Sequence, residues 1–350
     1  MDYDFLARLC MMTIKLLKMK KIYIVMAALA FVMCTKVEPI KSQTEYTELD
    51  QPGKVEIKVM SSNIRSGSTD AGIQLWSYRR FAYMNMLSEA QPDIIGLQEC
   101  KDNQVETLLL ADEYAFWRVP EYDLSDPSVL NTHLPPNVIM YRKSKFEMLD
   151  KGIFYYNEND PSKPCHYPCG ATGWQVRGCV WVKLAVKATG KTIYFFDTHY
   201  THDPTEIQYA DGRVEPIVDA DGNKVYNIEP RRKASAMAVE QMEKIAVDKD
   251  AAVFFVGDLN CSLADGSTRN GPRSLEPLMT YMWSAREEAH SYDGGISFNG
   301  FTEYKNGKIG NIDHIFYRGA EALDFVTFNS PDYGVTYISD HYPVMCSFAL

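Results

Sequence analysis

The stretch that most constrains this chain is 251–260, AAVFFVGDLN, in which an apolar run gives way abruptly to polar residues. Residues 252–256 are all apolar and a Gly follows them, a pattern typical of a strand buried on both faces. Asp258 and Asn260 are two residues apart, so on an extended chain their side chains point to the same side. A carboxylate and an amide at the end of a buried strand suit a polar reaction centre, whereas by itself the stretch is explained equally well by an Asx turn.

The rest of the chain contains further strands that end or begin in polar residues. We predict strands at 55–63, 93–100, 138–142, 178–186, 192–200, 312–318 and 344–348, and helices at 78–89 and 230–247. Strands outnumber helices, and most neighbouring strands are spaced as hairpins rather than as crossovers. This pattern predicts one α/β (α+β) domain from about residue 50 onward, with mixed or antiparallel sheets and the helices outside. Residues 214–228 predict an inserted hairpin, because a turn signal separates two short apolar runs.

The charge distribution argues against a protein that grips nucleic acid over a long groove. The formal net charge is −10, and the first 33 residues contribute +3, which leaves −13 for the remainder. A body this acidic has no bulk attraction for a polyanion. The segment 203–229 adds seven acidic residues against Arg213 and Lys224. If this segment borders a binding cleft, it would repel a long polyanion; the alternative is that it points away and its charge is ordinary solvation.

The N-terminal residues resemble an export signal. Met19-Lys20-Lys21 precedes an apolar run at 22–33, which is too short to span a membrane comfortably. Cys34 stands where a lipoprotein carries its acylated cysteine, and Ala28–Ala30 offers an ordinary signal-peptidase site instead. We therefore expect a signal peptide or lipoprotein signal at 1–34, a linker at 35–53 and the folded domain at 54–350. The expected location is periplasmic, outer-membrane-anchored by lipid or secreted; an uncleaved N-terminal anchor is the alternative.

Six cysteines follow this segment, at positions 100, 165, 169, 179, 261 and 346. Export would permit disulfides. Cys165 and Cys169 flank a short loop, and with His166 they form at most an incomplete zinc site, because no second ligand cluster is present in the sequence. A loop disulfide or free thiols are the interpretations that the sequence favours.

The polar residues at the strand ends form one candidate site. Its members are four carboxylates, two amides and two imidazoles: Asn63, Glu99, His199, Asp258, Asn260, Asp313, Asp340 and His341. Oxygen donors are in the majority, and such sets favour Mg²⁺ or Mn²⁺ over zinc. A hard cation of this kind can bind a phosphoryl oxygen, screen its charge and help to form hydroxide.

At these residues the sequence resembles the endonuclease/exonuclease/phosphatase superfamily, over about 58–348, and most closely its secreted bacterial members. The resemblance rests on seven motifs in the family's order: Ser62–Arg65, Ile95–Glu99, Val138–Arg142, Thr198-His199, Gly257–Asn260, Ile312–Ile315 and Ser339–Val344. It departs from those members at Thr201, where they often carry Asp, and in the insertion after His202. The resemblance implies a catalytic domain at 54–350 built as a four-layer α/β/β/α sandwich, with two face-to-face sheets and the site in a cleft at one edge.

The resemblance also implies a role for each candidate residue. Glu99 would be the principal ligand of a Mg²⁺ or Mn²⁺ ion, with Asn63 beside it and Asp340 as a further ligand or a supporting group. Asp258 would orient or deprotonate the attacking water.

The remaining residues would handle the phosphate. Asn260 would hold the phosphoryl oxygens, and His199 would donate to the phosphate or to the leaving oxygen. His341 would contact the phosphate as an imidazolium oriented by Asp313. Arg177 is either a phosphate clamp or an ordinary surface arginine.

Three functions remain open at this point. The first is a metal-dependent phosphodiesterase or phosphatase that acts on a small or lipid-like phosphate ester. The second is a secreted nuclease with the same site, and the third is a binding module that has lost activity. The third is disfavoured because none of the eight residues is missing. The fold does not decide between the first two. We expect a monomer, with a lipid anchor to the membrane if Cys34 is acylated.

Overall fold

The computed structural model describes residues 54–350, apart from 67–69, 119–135, 166–168, 170–175, 203–205, 209–212, 219, 224–226, 264–270, 303–309 and 330–332. The predicted signal and linker lie outside the described residues. No helix in the described part of the chain combines the length and hydropathy needed to cross a membrane.

The described residues form fifteen strands. In chain order they are β1 (Glu56–Asn63), β2 (Ile94–Gln98), β3 (Tyr114–Arg118), β4 (Val138–Arg142), β5 (Phe146–Tyr155), β6 (Gly178–Val186), β7 (Thr192–His199), β8 (Glu206–Gln208), β9 (Val214–Pro216), β10 (Ala252–Asp258), β11 (Trp283–Ser284), β12 (Ser291–Tyr292), β13 (Asp313–Arg318), β14 (Glu321–Thr327) and β15 (Val344–Ala349).

These strands form two large sheets and one small hairpin. The first sheet has the order β12-β14-β15-β1-β2-β4-β3, the second has the order β11-β13-β10-β7-β6-β5, and β8 pairs with β9. Most pairs are antiparallel, but β1–β2, β7–β10 and β12–β14 are parallel. The sheets are therefore mixed, as predicted.

Helices cover the outer faces of both sheets. The described helices are α1 (Trp76–Ala90), α2 (Asp102–Leu108), α3 (Glu229–Ile245), α4 (Gly271–Ser274), α5 (Glu276–Tyr281) and α6 (Ala285–Glu288), and a 3₁₀ turn (Gly72–Gln74) precedes α1. The apolar face of α1 packs on the first sheet, for example Tyr83 and Met86 on Met60. The apolar face of α3 packs on the second sheet, for example Ala238 and Met242.

The central core lies between the two sheets. It joins side chains of β1 such as Val59 with side chains of β10 such as Phe254 and Val256. The alternate residues of β10, Val253 and Phe255, pack instead with the α3 side of the second sheet. Both faces of β10 are therefore buried, which explains why its sequence is apolar without alternation. The four-layer α/β/β/α arrangement predicted from the resemblance is confirmed.

The structure also contains elements that the sequence pattern did not predict. The strand β5 lies at the edge of the second sheet and is exposed along its middle, so its sequence shows neither an apolar run nor a clean alternation. The strand β14 carries an irregularity between Ala322 and Phe325 that breaks its period of two. The hairpin in the insertion is formed by β8 and β9, so it begins earlier in the chain than predicted. Part of the predicted 214–228 hairpin lies outside the described residues.

Two glycines allow neighbouring chain segments to approach closely. A Cβ on Gly257 would lie 2.0 Å from the Thr198 carbonyl oxygen, and one on Gly96 would lie 2.6 Å from Oδ1 of Asp197. Real side chains do not tolerate such distances. Glycine at position 257 therefore lets β10 approach β7, and glycine at position 96 leaves room beside β2 for the buried Asp197 carboxylate. The six described cysteines are all free thiols, with Cys165 and Cys169 each directed at the Tyr156 carbonyl oxygen at 3.7 Å.

Candidate active site

Three neighbouring strands of the second sheet bring polar residues to one level. In the parallel β7–β10 pair Asp258 is the register partner of His199, and in the antiparallel β10–β13 pair it is the partner of Asp313. All three side chains are buried. The pairing explains why Asp313 stands at the start of its strand in the sequence whereas the other two stand at the ends of theirs.

Asp258 is the most highly connected of these side chains. Its Oδ1 accepts from the Asn260 backbone N–H at 2.9 Å. Its Oδ2 lies 3.0 Å from Nδ2 of Asn63, 3.2 Å from Nε2 of His199 and 3.7 Å from Nε2 of His341. One carboxylate oxygen therefore faces an amide and two imidazoles.

His341 reaches the second sheet from the loop that precedes β15. Its Nδ1 lies 2.8 Å from Oδ2 of Asp313, while its Nε2 faces Asp258. The edge of the half-buried Phe298 ring packs against the imidazole, with 5.0 Å between centroids. The Asp313 carboxylate thus holds one ring nitrogen of His341. We call His199, Asp258, Asn260, Asp313 and His341 the imidazole half of the site.

The other half of the site belongs to the first sheet and comprises Asn63, Glu99 and Asp340, which we call the carboxylate half. Glu99 accepts from the Ser66 backbone N–H at 2.9 Å and lies 3.3 Å from Nδ2 of Asn63. Asp340 lies 3.5 Å from the Arg65 guanidinium. Asn63 thus contacts both Glu99 and Asp258 and connects the two halves.

The orientation of the Asn63 amide bears on its predicted role as a ligand. Its Oδ1 accepts from the Arg65 backbone N–H at 3.0 Å, and its nitrogen faces the two carboxylates. A cation held by the Asn63 oxygen would therefore require the amide to rotate by half a turn.

The backbone at the strand ends is strained. Arg65, Glu99 and Asn260 have φ values of 57°, 60° and 54°, in the left-handed region that residues with a Cβ avoid. Each such residue costs about 1–2 kcal/mol. This strain, which the sequence pattern did not reveal, turns the chain sharply after the strand and directs the side chains into the site.

The buried charges of the imidazole half change the pKa of their neighbours. Burial opposes the charged form of Asp258, but the His199 and His341 imidazoles outweigh it and hold the pKa of Asp258 well below its usual range. Burial also opposes the charge of His341, yet the Asp313 and Asp258 carboxylates raise its pKa to about 10. His341 is therefore an imidazolium at neutral pH. Burial raises the pKa of Asp313.

The carboxylate half has a different electrostatic character. Burial opposes the charge of Glu99, but nearby imidazoles and the Ser66 N–H lower its pKa to about 2. Burial raises the pKa of Asp340. Asp340 shares the Arg65 guanidinium with Asp70, whose Oδ1 lies 3.1 Å from Arg65 Nη2. Two anionic side chains and an amide face the same region, and this donor set suits a hard divalent cation.

A second group with ligand character lies in the imidazole half. Asp258, Asp313 and His341 offer ligand atoms within 4.8 Å of one another. However, the two nitrogens of His341 already face the two carboxylates, and a protonated imidazole cannot bind a metal. The hydrogen-bonded arrangement fits a proton-handling group better than a closed metal site.

Arg177 lies directly before β6 and is buried. Burial lowers its pKa to about 10, while the charges of Glu99 and Asp258 act in the opposite direction. The prediction that it is an ordinary surface arginine is therefore wrong.

Some contributors to the site had no detectable signal in the sequence. Ser66 supplies the N–H and a hydroxyl to Glu99, and Ser339 Oγ donates to the Asn63 carbonyl oxygen at 2.7 Å. Serines after strands are common in turns, so nothing in their spacing identifies these contacts.

The fold and the site together define a phosphoester hydrolase of one family. The model of the Endonuclease/Exonuclease/phosphatase family matches residues 60–341, and the chain belongs to that family. Its members hydrolyse phosphoesters and generally depend on a divalent metal. A search of curated proteins returned no match.

Solved structures share this fold at low sequence identity. An endonuclease/exonuclease/phosphatase from Bacteroides vulgatus superposes with a TM-score of 0.66 at 22% identity, covering 84% of this chain and 98% of that one. A mannosyl-6-phosphatase from Bacteroides thetaiotaomicron gives 0.64 at 22% identity, covering 83% and 99%. TDP2 from D. rerio, complexed with a single strand DNA product, gives 0.56 at 18% identity, covering 84% and 98%.

Proposed function

We propose that this protein hydrolyses a small phosphate ester with the help of Mg²⁺ or Mn²⁺. The observation that carries the proposal is the position of Asp258. Its buried carboxylate faces two imidazoles, and the Asn63 amide contacts both Asp258 and Glu99. Attack of water on phosphorus needs an aligned water, a cation and donors for the developing charge. The two halves of the site offer groups for all three.

The cation would bind at the carboxylate half, through Glu99 and Asp340 with Asn63 beside them. When bound, it would neutralise charge on a phosphoryl oxygen. The oxygen-rich donor set favours Mg²⁺ or Mn²⁺ over softer metals. Arg65, shared between Asp70 and Asp340, leaves Glu99 paired with neutral donors. Because the groups that donate hydrogen bonds to Glu99 are neutral, its carboxylate can also accept a cation.

Asp258 contributes mainly by aligning the attacking water. A carboxylate whose pKa lies well below its usual range holds a proton poorly, so it is a weak general base. It is also fixed by four groups, which makes it a rigid hydrogen-bond acceptor for water. Of the two roles expected for this residue, orientation is the one that its environment favours.

The phosphate oxygens would be held by donors of the imidazole half. His341 is an imidazolium at neutral pH, and Asn260 Nδ2 and His199 Nε2 lie 3.1 Å apart beside it. Arg177, buried and cationic, adds a positive charge within electrostatic reach of Glu99 and Asp258. Preorganised donors of this kind stabilise the charge that develops in the transition state.

The proposed substrate is small because the acidic residues of the chain outnumber its cations, 46 against 36. The net charge of −13 after residue 33 opposes binding of long polyanions. One structural neighbour is a mannosyl-6-phosphatase, in keeping with a small ester, and another is TDP2 with a single strand DNA product, in keeping with the nuclease alternative. Lipid-like esters belong to the same proposal.

The test is a substrate panel at two salt concentrations. Sugar phosphates, a lipid-like phosphodiester, duplex DNA and single-stranded DNA are assayed with Mg²⁺ and with Mn²⁺. We expect the highest kcat/KM on a small ester, with little change as monovalent salt rises. A preference for DNA with a steep salt dependence would overturn the small-ester proposal in favour of the nuclease.

A further inference from the structure

Two arginines are completely buried, one on each outer helix. Arg79 lies in the first turns of α1 and Arg231 in the first turn of α3, and neither exposes any measurable surface. Arginine is rarely buried completely, because removing its charge from water is costly. Such a side chain requires a physical reason, and in both cases the reason lies in the carbonyl groups that the guanidinium contacts.

Arg79 donates to four backbone carbonyls of the first-sheet side. Its Nη1 lies 3.1 Å from the Ile64 oxygen and 2.6 Å from the Ile338 oxygen. Its Nη2 lies 3.1 Å from the Arg65 oxygen, and its Nε lies 2.7 Å from the Gln74 oxygen. Ile64 directly follows Asn63, and Ile338 is two residues before Asp340. One guanidinium therefore joins the two chain segments that carry the carboxylate half.

Arg231 makes the corresponding contacts on the second-sheet side. Its Nη1 lies 3.1 Å from the carbonyl oxygen of Asn260 and 3.4 Å from that of Thr201. Thr201 is two residues after His199, and Asn260 belongs to the site itself. This guanidinium joins the two segments that follow β7 and β10, both of which belong to the imidazole half.

The chemistry of the guanidinium explains why residue 79 is an arginine. Chain segments that leave a sheet sharply have carbonyls that the ladder no longer satisfies, and buried carbonyls must find donors. Guanidinium has five N–H donors in one rigid plane and can serve several carbonyls from separate segments at once. Lysine has three donors on a flexible stem and cannot reproduce that geometry.

We propose that Arg79 and Arg231 are positioning residues that set the two halves of the site separately. Arg79 positions Asn63 and Asp340 of the carboxylate half, and Arg231 positions His199 and Asn260 of the imidazole half. The proposal rests on the proposed function, in which the two halves perform different tasks. Loss of Arg79 should therefore weaken cation binding, and loss of Arg231 should slow the hydrolytic step.

The test compares Arg79→Lys and Arg231→Lys with the controls Arg80→Lys and Arg232→Lys, which change the adjacent arginine of the same helix. Mn²⁺ affinity is measured by calorimetry without substrate, and kcat and KM are measured at saturating metal. We expect Arg79→Lys to weaken Mn²⁺ binding about tenfold while kcat changes little, and Arg231→Lys to lower kcat about tenfold with unchanged Mn²⁺ affinity. The controls should match the unmodified protein.

Urea unfolding separates positioning from a merely structural role. Arg79→Gln and Arg231→Gln, which keep two donors without a buried charge, replace any lysine variant that does not fold. The proposal is overturned if folded variants at the two positions change Mn²⁺ affinity and kcat in the same way, or if neither quantity changes. It is also overturned if no variant at one of the positions folds. Because Mn²⁺ binding is measured without substrate, an unmodified protein that binds Mn²⁺ but hydrolyses no ester would refute the proposed function and leave the role of Arg79 testable.

Discussion

The two halves of the site meet at Asn63 and have different electrostatic arrangements. In the imidazole half, the carboxylates of Asp258 and Asp313 face the imidazoles of His199 and His341, and the His341 imidazolium compensates part of their charge. In the carboxylate half, Glu99 is paired with neutral donors. The first half compensates charge through direct contacts, whereas the hydrogen-bond partners of Glu99 in the second half carry no charge. Substitutions in the two halves should therefore differ in kind as well as in size.

The largest effect is expected from Asp258→Asn, which keeps the shape of the side chain but removes its charge. Without the carboxylate, the attacking water loses its acceptor and the two imidazoles lose their common partner. We expect kcat to fall about a hundredfold or more with a modest change in KM. The measurement is steady-state kinetics on the best ester, with Asp150→Asn on the exposed face of β5 as the matched control. Near-normal turnover would refute the role given to Asp258.

Glu99→Gln tests the carboxylate half. A neutral amide replaces the anion, so we expect Mn²⁺ affinity to fall roughly tenfold or more, since a charge-assisted contact is worth about 1.5–3 kcal/mol. EDTA should abolish the activity of the unmodified protein, and Mg²⁺ or Mn²⁺ should restore it. Glu147→Gln, on exposed β5, is the control. Full activity in excess chelator would exclude the metal-dependent mechanism.

Asp313→Asn tests the charge compensation within the imidazole half. Asp313 is among the groups that raise the pKa of His341 to about 10, so activity that needs the imidazolium persists until pH approaches that value. Removing the carboxylate lowers the pKa of His341, and the alkaline limb of the kcat/KM profile should move to lower pH by about 1–3 units. The profile of Asp324→Asn, an exposed site on β14, should coincide with that of the unmodified protein. An unmoved limb would show that His341 is not the group that titrates there.

The smallest effect is expected at Asp197, which links the two sheets without entering the site. Its buried carboxylate accepts from Gln98 Nε2 at 2.6 Å and from Asn137 Nδ2 at 2.9 Å, and burial raises its pKa to about 7. Asp197→Asn leaves one buried amide donor without an acceptor and should cost about 1–3 kcal/mol of unfolding free energy.

The pH dependence of that loss has a defined sign. Because the folded pKa of Asp197 lies above its ordinary value of 3.8, the folded state binds the proton more tightly than the unfolded chain. Its contribution to stability is thus present below about pH 4 and declines as pH rises to about 7. Urea unfolding at pH 4 to 8 should show the largest deficit of Asp197→Asn at the acid end, while Asp112→Asn shows no such trend. A deficit that grows with pH would contradict this assignment.

The sequence determined the layers of this protein and identified polar residues that the fold brings together. Apolar runs such as 252–256 are readable as buried strands because burial of both faces leaves no room for polar residues. The polar residues beside them are informative because strand ends in a two-sheet fold converge at one edge. The family motifs added the four-layer arrangement, which pattern alone left open.

Only the tertiary structure decided how the site is held together. The 2.7 Å contact between Ser339 Oγ and the Asn63 carbonyl oxygen joins residues 276 positions apart, and no local pattern encodes it. The left-handed backbone at Glu99 contradicts local propensity, so propensity could not have predicted it. Arg79 and Arg231 look in the sequence like solvated helix residues, because a burial that depends on carbonyls from distant segments leaves no trace in the helix itself. The sequence gives the chemical type of each side chain. The partners of a buried charge come from distant segments, which only folding brings together.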